Sequence, residues 1–254
     1  MLDNELTMTY FNLDQITSGF ETRAKQIGGV NAWIFKAKTS ISHPVISSIM
    51  TRLDNIVTDM PVADREWLIR RFTMIIPENA DSFKNEYNDK FLDALVEILG
   101  WGWLSEKHKQ AVISFNQTTD QPTPDLIARG HAGNLIAAME CKSIHTSNDF
   151  RKYIRRCCVK TEAREVNTRF LDDDPAKNPL LSKVLKTLEE AEKQLSGTPA
   201  PLKYVLMDFS FDISSALRRP RQLSLIDIAK KKAEERGIIL IPLINFEVCN
   251  PQTM

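Results

Sequence analysis

Residues 124–142 read PDLIARGHAGNLIAAMECK and contain two short apolar segments separated by a turn, GHAGN, at residues 130–134. Apolar runs bounded by glycine turns predict β-strands. A Pro-Asp pair opens the first segment, and the second one delivers Glu140, Cys141 and Lys142. The sequence therefore predicts a hairpin that carries charged residues at the end of a buried strand.

The charges of this hairpin need partners, since a buried strand gains nothing from ending in unpaired ionised groups. Side chains at i and i+2 of a strand share a face, so Glu140 and Lys142 project together and Cys141 turns to the opposite face. If the two strands pair across the turn, Asp125 lies beside them. One interpretation is an edge hairpin held by a solvated salt bridge. The other is a site for a hard divalent cation, because two carboxylates supply oxygen ligands and an amine stands near the water that the metal activates.

The motif resembles the PD-(D/E)xK nuclease superfamily, the restriction-endonuclease-like fold. It comprises Pro124-Asp125, fourteen intervening residues, and Glu140-Cys141-Lys142. The resemblance implies a Mg²⁺-dependent DNA endonuclease, with Mn²⁺ as a substitute metal. Asp125 and Glu140, helped by the Cys141 carbonyl, would bind the metal, and Lys142 would orient or deprotonate the attacking water.

A long helix is predicted to precede the hairpin, from residue 82 to residue 99, with Gly100 at its C-cap. Many members of the resembled family place an acid on this helix, about eleven residues before a Gly-aromatic end, as a ligand of the metal site. Asp89 stands eleven residues before Gly100-Trp101, and Glu86 lies one turn earlier. We favour Asp89 over Glu86, although the usual residue there is Glu and acids on a helix face are commonly just solvated.

The predicted order of elements from Ser82 is a helix, three strands, a helix, a strand, a helix and a strand. This order indicates an α/β fold, and it matches the restriction-endonuclease-like core, αβββαβ, a mixed central sheet flanked by helices, with one added helix-strand unit. We assign residues 81–254 to the nuclease domain. Residues 1–80 form an N-terminal helical region for packing, dimerisation or DNA contact, in which Asp64 is expected to cap a helix that ends before Pro77.

The composition, 43% hydrophobic and 26% charged, is typical of a globular protein. No apolar run is long enough for a membrane span. The acidic amino terminus lacks the charged and apolar regions of a secretion signal. We therefore expect a cytoplasmic protein.

The formal net charge of zero counts against nucleic-acid binding, which usually leaves a basic surplus. However, basic residues follow the motif at helical spacing, and their face is either solvated or in contact with phosphates; they are Arg151, Lys152, Arg155 and Arg156. DNA is the expected partner, and a homodimer would cut both strands. We expect a restriction or phage-defence enzyme. A DNA repair or recombination nuclease, and an inactive nucleic-acid-binding or assembly module of the same fold, remain alternatives.

Overall fold

The computed structural model describes residues 11–116, 123–144, 178–209, 219–244 and 247–248. The four basic residues predicted to contact DNA, Arg151, Lys152, Arg155 and Arg156, lie outside the described residues. The chain forms two compact units, residues 1–102 and residues 103–254. The division falls inside a long helix, so the assignment of residues 1–80 and 81–254 as separate domains stays a prediction.

The first unit is helical, and each helix buries an apolar stripe against its neighbours. Its core includes Phe20, Phe72 and Phe91, whose side chains are fully buried. The ring of Phe91 lies 4.4 Å from that of Phe20 and 5.0 Å from that of Phe72. The helices are α1 (Phe11–Gln26), α2 (Trp33–Thr39), α3 (Pro44–Asp59), α4 (Val62–Thr73) and α5 (Asn85–Lys107), the last of which continues into the second unit.

Helix α5 corrects one expectation, because it does not end at Gly100 but runs on to Lys107. Gly102 lies inside the helix, and a Cβ atom there would stand 2.6 Å from Cδ1 of Ile56. This second glycine permits the close approach of α3. The glycine at position 100 does not end the helix, because local propensity is a weak signal that the rest of the fold can override.

Asp64 is not the N-cap of α4, which begins at Val62 after Pro61. The Asp64 side chain is buried and accepts a hydrogen bond of 3.1 Å from the indole Nε1 of Trp101. The prediction of a capping role was wrong because this carboxylate is used inside the first unit, where it satisfies a buried indole donor.

The second unit contains a mixed six-stranded sheet in the order β1-β2-β3-β4-β5-β6. Strands β1, β2 and β3 pair antiparallel, β3, β4 and β5 pair parallel, and β5 pairs antiparallel with β6. The strands are β1 (Val112–Phe115), β2 (Leu126–Arg129), β3 (Leu135–Ser143), β4 (Leu202–Asp208), β5 (Ile239–Ile244) and the two-residue β6 (Glu247–Val248).

Helices α6 (Pro179–Ser196) and α7 (Arg219–Glu234) pack on this sheet, α6 against β3 and β4, and α7 against β5. Alternate residues of β4, Val205 and Met207, point into the core that these helices form. The predicted α/β class, with a mixed sheet flanked by helices, is confirmed. None of the helices in the described part of the chain has the length and apolar character of a membrane span.

Candidate metal centre

The candidate site lies where β2 and β3 pair. Leu126 stands opposite Met139, which places Asp125 opposite Glu140 at the end of the ladder. The Asp125 amide donates a hydrogen bond of 3.2 Å to Oε2 of Glu140. In return, Oδ2 of Asp125 accepts a hydrogen bond of 2.8 Å from the amide of Cys141. The two carboxylates of the motif are therefore fixed by reciprocal bonds to the backbone of the opposite strand.

Lys142 completes the cluster from the same face of β3. Its Nζ atom lies 2.6 Å from Oε1 of Glu140. The side chain of Glu140 is 0% exposed and that of Lys142 is 24% exposed, so the ammonium stands between the buried carboxylate and solvent. The structure brings Asp125, Glu140 and Lys142 together as predicted, and Cys141 is buried.

The burial of Glu140 follows from its place in the sheet. Its register partner on β4 is Val205, which belongs to the core beneath α6 and α7. Ala138, two residues earlier on the same face of β3, is in the same core. Glu140 is thus a carboxylate at the edge of an apolar layer, where an ionised group is costly unless it is paired.

The pKa values of Glu140 and Lys142 are both shifted by the burial of the cluster. Burial, together with repulsion by the Asp125 carboxylate, raises the pKa of Glu140 to about 8 although Lys142 acts in the opposite direction. Burial lowers the pKa of Lys142, but the combined attraction of Glu140 and Asp125 outweighs it and leaves that pKa above its usual value. The site therefore holds two mutually repelling carboxylates that one ammonium does not fully compensate.

This donor set fits a hard divalent cation. Magnesium prefers carboxylate and carbonyl oxygens and commonly takes only one or two carboxylates from the protein. Asp125 and Glu140 supply two, and their repulsion is the kind of charge that a cation relieves. No group of three or more His, Cys, Asp or Glu side chains close enough to hold a metal occurs among the described residues.

The helical acids predicted for the site lie in the first unit. Glu86 is exposed in the first turn of α5, and Asp89 is half-buried one turn later. Their role as metal ligands stays a prediction. Sequence analysis missed a third acid on the same helix, Glu97, whose buried carboxylate accepts a hydrogen bond of 3.0 Å from Arg71. The sequence signal that could have identified Glu97 as buried is its position inside the apolar run Leu95–Leu99.

The charges are unevenly divided between the units. Residues 1–102 contain 10 Lys and Arg against 14 Asp and Glu, whereas residues 103–254 contain 23 Lys and Arg against 19 Asp and Glu. The unit that carries the candidate site is therefore basic, although the whole chain is neutral.

Comparison of the chain with protein-family models, with curated proteins and with solved structures finds no match. The resemblance to PD-(D/E)xK nucleases stays a prediction from the motif residues of the sequence.

Proposed function

We propose that the protein is a metal-dependent DNA endonuclease of the restriction or phage-defence type, which hydrolyses phosphodiester bonds at Asp125, Glu140 and Lys142. The observation that supports this most strongly is the burial of Glu140 beside Asp125, with Lys142 on the same face. Ionisation of the buried Glu140 beside a second carboxylate costs free energy. A function that needs both carboxylates would account for their presence at this buried position.

The order of elements supports the same proposal. From α5 onward the described elements are a helix, three strands, a helix, a strand, a helix and two strands, the last of which is the two-residue β6. The first six of these elements are compatible with the order αβββαβ of the restriction-endonuclease-like core, and one further helix and two strands follow them. The motif residues stand at the pairing of the second and third strands, where that fold would place them.

In the proposed reaction each side chain has a distinct role. Asp125 and Glu140 would hold the Mg²⁺, with the Cys141 carbonyl as a third oxygen donor. When bound, the metal would lower the pKa of a water molecule and neutralise charge on the phosphate. The backbone amides of Asp125 and Cys141 keep the two carboxylates in place. Lys142, released from Glu140, would turn its ammonium to the scissile phosphate and stabilise the negative charge that develops there.

A second candidate is an inactive nucleic-acid-binding or assembly module of the same fold. One observation favours it: each carboxylate already accepts a backbone hydrogen bond, and Glu140 also pairs with Lys142. Such a cluster can stabilise a hairpin without any metal. The module would keep its function when the charges of the site are removed, whereas the nuclease would lose its activity. A repair or recombination nuclease would share the chemistry and differ in its substrate.

The test is a cleavage assay on supercoiled, linear and single-stranded DNA with Mg²⁺, Mn²⁺ or EDTA. Asp125→Asn removes the charge while the amide oxygen can still accept the Cys141 N–H, and Lys142→Gln removes the ammonium. Both variants should lose cleavage by at least about a hundredfold. Asp227→Asn and Lys186→Gln, which change exposed residues of α7 and α6, should cut like the wild type.

Circular dichroism and thermal unfolding would show that the variants are folded. Metal-dependent cutting that both site variants abolish would support the nuclease, and the preferred DNA form would separate cutting within a strand from cutting at its ends. Cutting that survives Asp125→Asn, or that EDTA does not affect, would refute the proposed mechanism. A folded wild type that binds DNA without cutting it under any condition would favour the inactive module.

A further inference from the structure

Lys142 differs from the two carboxylates of the candidate metal centre in the way it is held. Backbone amides of the opposite strand bond Oδ2 of Asp125 at 2.8 Å and Oε2 of Glu140 at 3.2 Å. The Lys142 ammonium is held through its ion pair with Oε1 of Glu140, at 2.6 Å. A lysine ammonium sits on a flexible four-carbon stem. Lys142 can therefore change its partner without disturbing the pairing of β2 and β3.

The ammonium of Lys142 lies on the solvent side of Glu140, whose side chain is fully buried. In the sheet register Lys142 stands beside Met207 of β4, which belongs to the core beneath α6 and α7. A lysine in such a place keeps its stem along the apolar layer and its charged head towards water. A second cation that reaches Oε1 of Glu140 from solvent has to compete with Lys142 for the same oxygen.

The charges of the cluster indicate which ligands relieve this competition. When Asp125, Glu140 and Lys142 are all ionised, two negative charges stand against one positive charge. A divalent cation at the carboxylates leaves the positive charge in excess by one, and the single negative charge of a phosphodiester restores the balance. Unbalanced charge is costly where solvent screening is weak. A divalent cation and a phosphate are therefore each bound better in the presence of the other.

We propose that Lys142 couples the binding of a divalent cation to the binding of a nucleic-acid phosphate, because it leaves Glu140 for the phosphate when the strand arrives. Without a strand, Lys142 opposes a cation at Glu140. With a strand, Lys142 pairs with the phosphate and both carboxylates become available to the cation. The inference rests on the metal ligands of the proposed function and adds a regulation of that site: the cation is held tightly only in the complex with the substrate.

The test is the affinity for Mn²⁺, measured by electron paramagnetic resonance of the unbound ion at one fixed pH and salt concentration. Each protein is titrated alone and with a duplex oligodeoxynucleotide whose phosphorothioate linkages keep the charge and slow hydrolysis. Mn²⁺ bound by the duplex alone is subtracted. Lys142→Gln removes the ammonium, Lys142→Arg keeps the charge, and Lys186→Gln removes a charge from an exposed position of α6 as the matched control.

Without DNA, Lys142→Gln should bind Mn²⁺ about tenfold more tightly than the wild type, whereas Lys142→Arg and Lys186→Gln should match the wild type. With the duplex, the wild type should bind Mn²⁺ about tenfold more tightly than without it, and Lys142→Gln should gain less. Lys142 also lowers the pKa of Glu140, so its removal favours a proton there. A dication carries twice the charge of a proton, so the variant still gains affinity for Mn²⁺. By linkage, Mn²⁺ should tighten duplex binding by the same factor as the duplex tightens Mn²⁺ binding.

Three results would overturn the coupling: equal Mn²⁺ affinity of the wild type with and without the duplex, a folded Lys142→Gln variant that binds Mn²⁺ no better than Lys186→Gln, or no Mn²⁺ bound by any of the proteins. The first of these needs no variant, so the test holds even if a substitution at Lys142 impairs folding. Coupled binding without any cleavage would refute the proposed nuclease and leave the coupling intact. Metal-dependent cleavage with uncoupled binding would do the reverse.

Discussion

Substitution of Glu140 by Gln should raise the stability of the protein relative to the wild type progressively as the pH rises from 5 to 8 when no metal is present. The wild-type carboxylate is fully buried, and burial with repulsion by Asp125 raises its pKa to about 8. The glutamine side chain has no charge to bury, and its amide oxygen can still accept the hydrogen bond from the Asp125 amide. The substitution therefore removes a titrating charge and leaves the pairing of β2 and β3 intact.

The sign and size of this effect follow from proton linkage. The folded state holds its proton up to about pH 8, whereas an unfolded Glu releases it near pH 4.5. Between these values the folded state binds more protons, so stability contributed by Glu140 is present below pH 4.5 and is lost as the pH rises. Each pH unit corresponds to about 1.4 kcal/mol. Between pH 5 and pH 8 the variant should gain on the order of 4 kcal/mol relative to the wild type.

Chemical unfolding in EDTA at several pH values between 5 and 8.5 would measure the difference between the two proteins. Glu190→Gln, an exposed position on α6, serves as the control and should run parallel to the wild type. A difference between Glu140→Gln and wild type that stays constant over this range would refute the electrostatic reasoning. So would a variant that loses stability relative to the wild type as the pH rises.

The same experiment with saturating Mg²⁺ or Mn²⁺ tests the metal centre separately. A cation on the two carboxylates would replace the proton on Glu140, so the wild type should regain stability at high pH and the variant should not. If the metals leave the wild-type curve unchanged while the difference in EDTA is as expected, the buried carboxylate is correctly described but the metal assignment fails.

Two further predictions concern the packing of single residues. Gly102→Ala should lower the free energy of unfolding by about 1–3 kcal/mol because its Cβ would stand 2.6 Å from Ile56 Cδ1. The double variant Gly102→Ala with Ile56→Val should recover part of this loss. Gly197→Ala is the control and should be close to neutral, since no atom lies within 4 Å of the added Cβ. Thermal unfolding of the four proteins would check this. Asn178→Ala should destabilise by about 1 kcal/mol because the Asn178 side chain caps α6 by accepting from the amides of Leu180 and Leu181, whereas Asn178→Asp should retain most of the stability.

The hairpin could be predicted from the sequence because its signals are local. Two apolar segments flank a turn in which the Gly130 amide donates to the Asn134 carbonyl and Gly133 has a φ of +77°. Positive φ is a conformation that glycine adopts readily. Residues i and i+2 of a strand share a face by geometry alone, so the clustering of Glu140 and Lys142 required no knowledge of the rest of the chain.

The burial of Glu140 could not be predicted in the same way. It depends on Val205, which pairs with Glu140 from a strand 65 residues later in the chain. The small residue at position 102 is explained likewise by Ile56, which approaches Gly102 from a different helix. Asp64 has the features of a helix cap in the sequence, yet it bonds the indole of Trp101. In each case a contact between distant segments decides the role of a residue that local rules interpret differently.

The neutral charge of the chain ceases to be an argument against a phosphate ligand once the two units are considered separately. A ligand at Asp125 and Glu140 experiences mainly the charges within a Debye length, which is about 10 Å at 0.1 M salt. The excess of basic residues falls in residues 103–254, the unit of the site, and the excess of acidic residues falls in residues 1–102. Net charge therefore describes the solubility of the whole molecule, whereas affinity for a phosphate depends on how charge is distributed around the site.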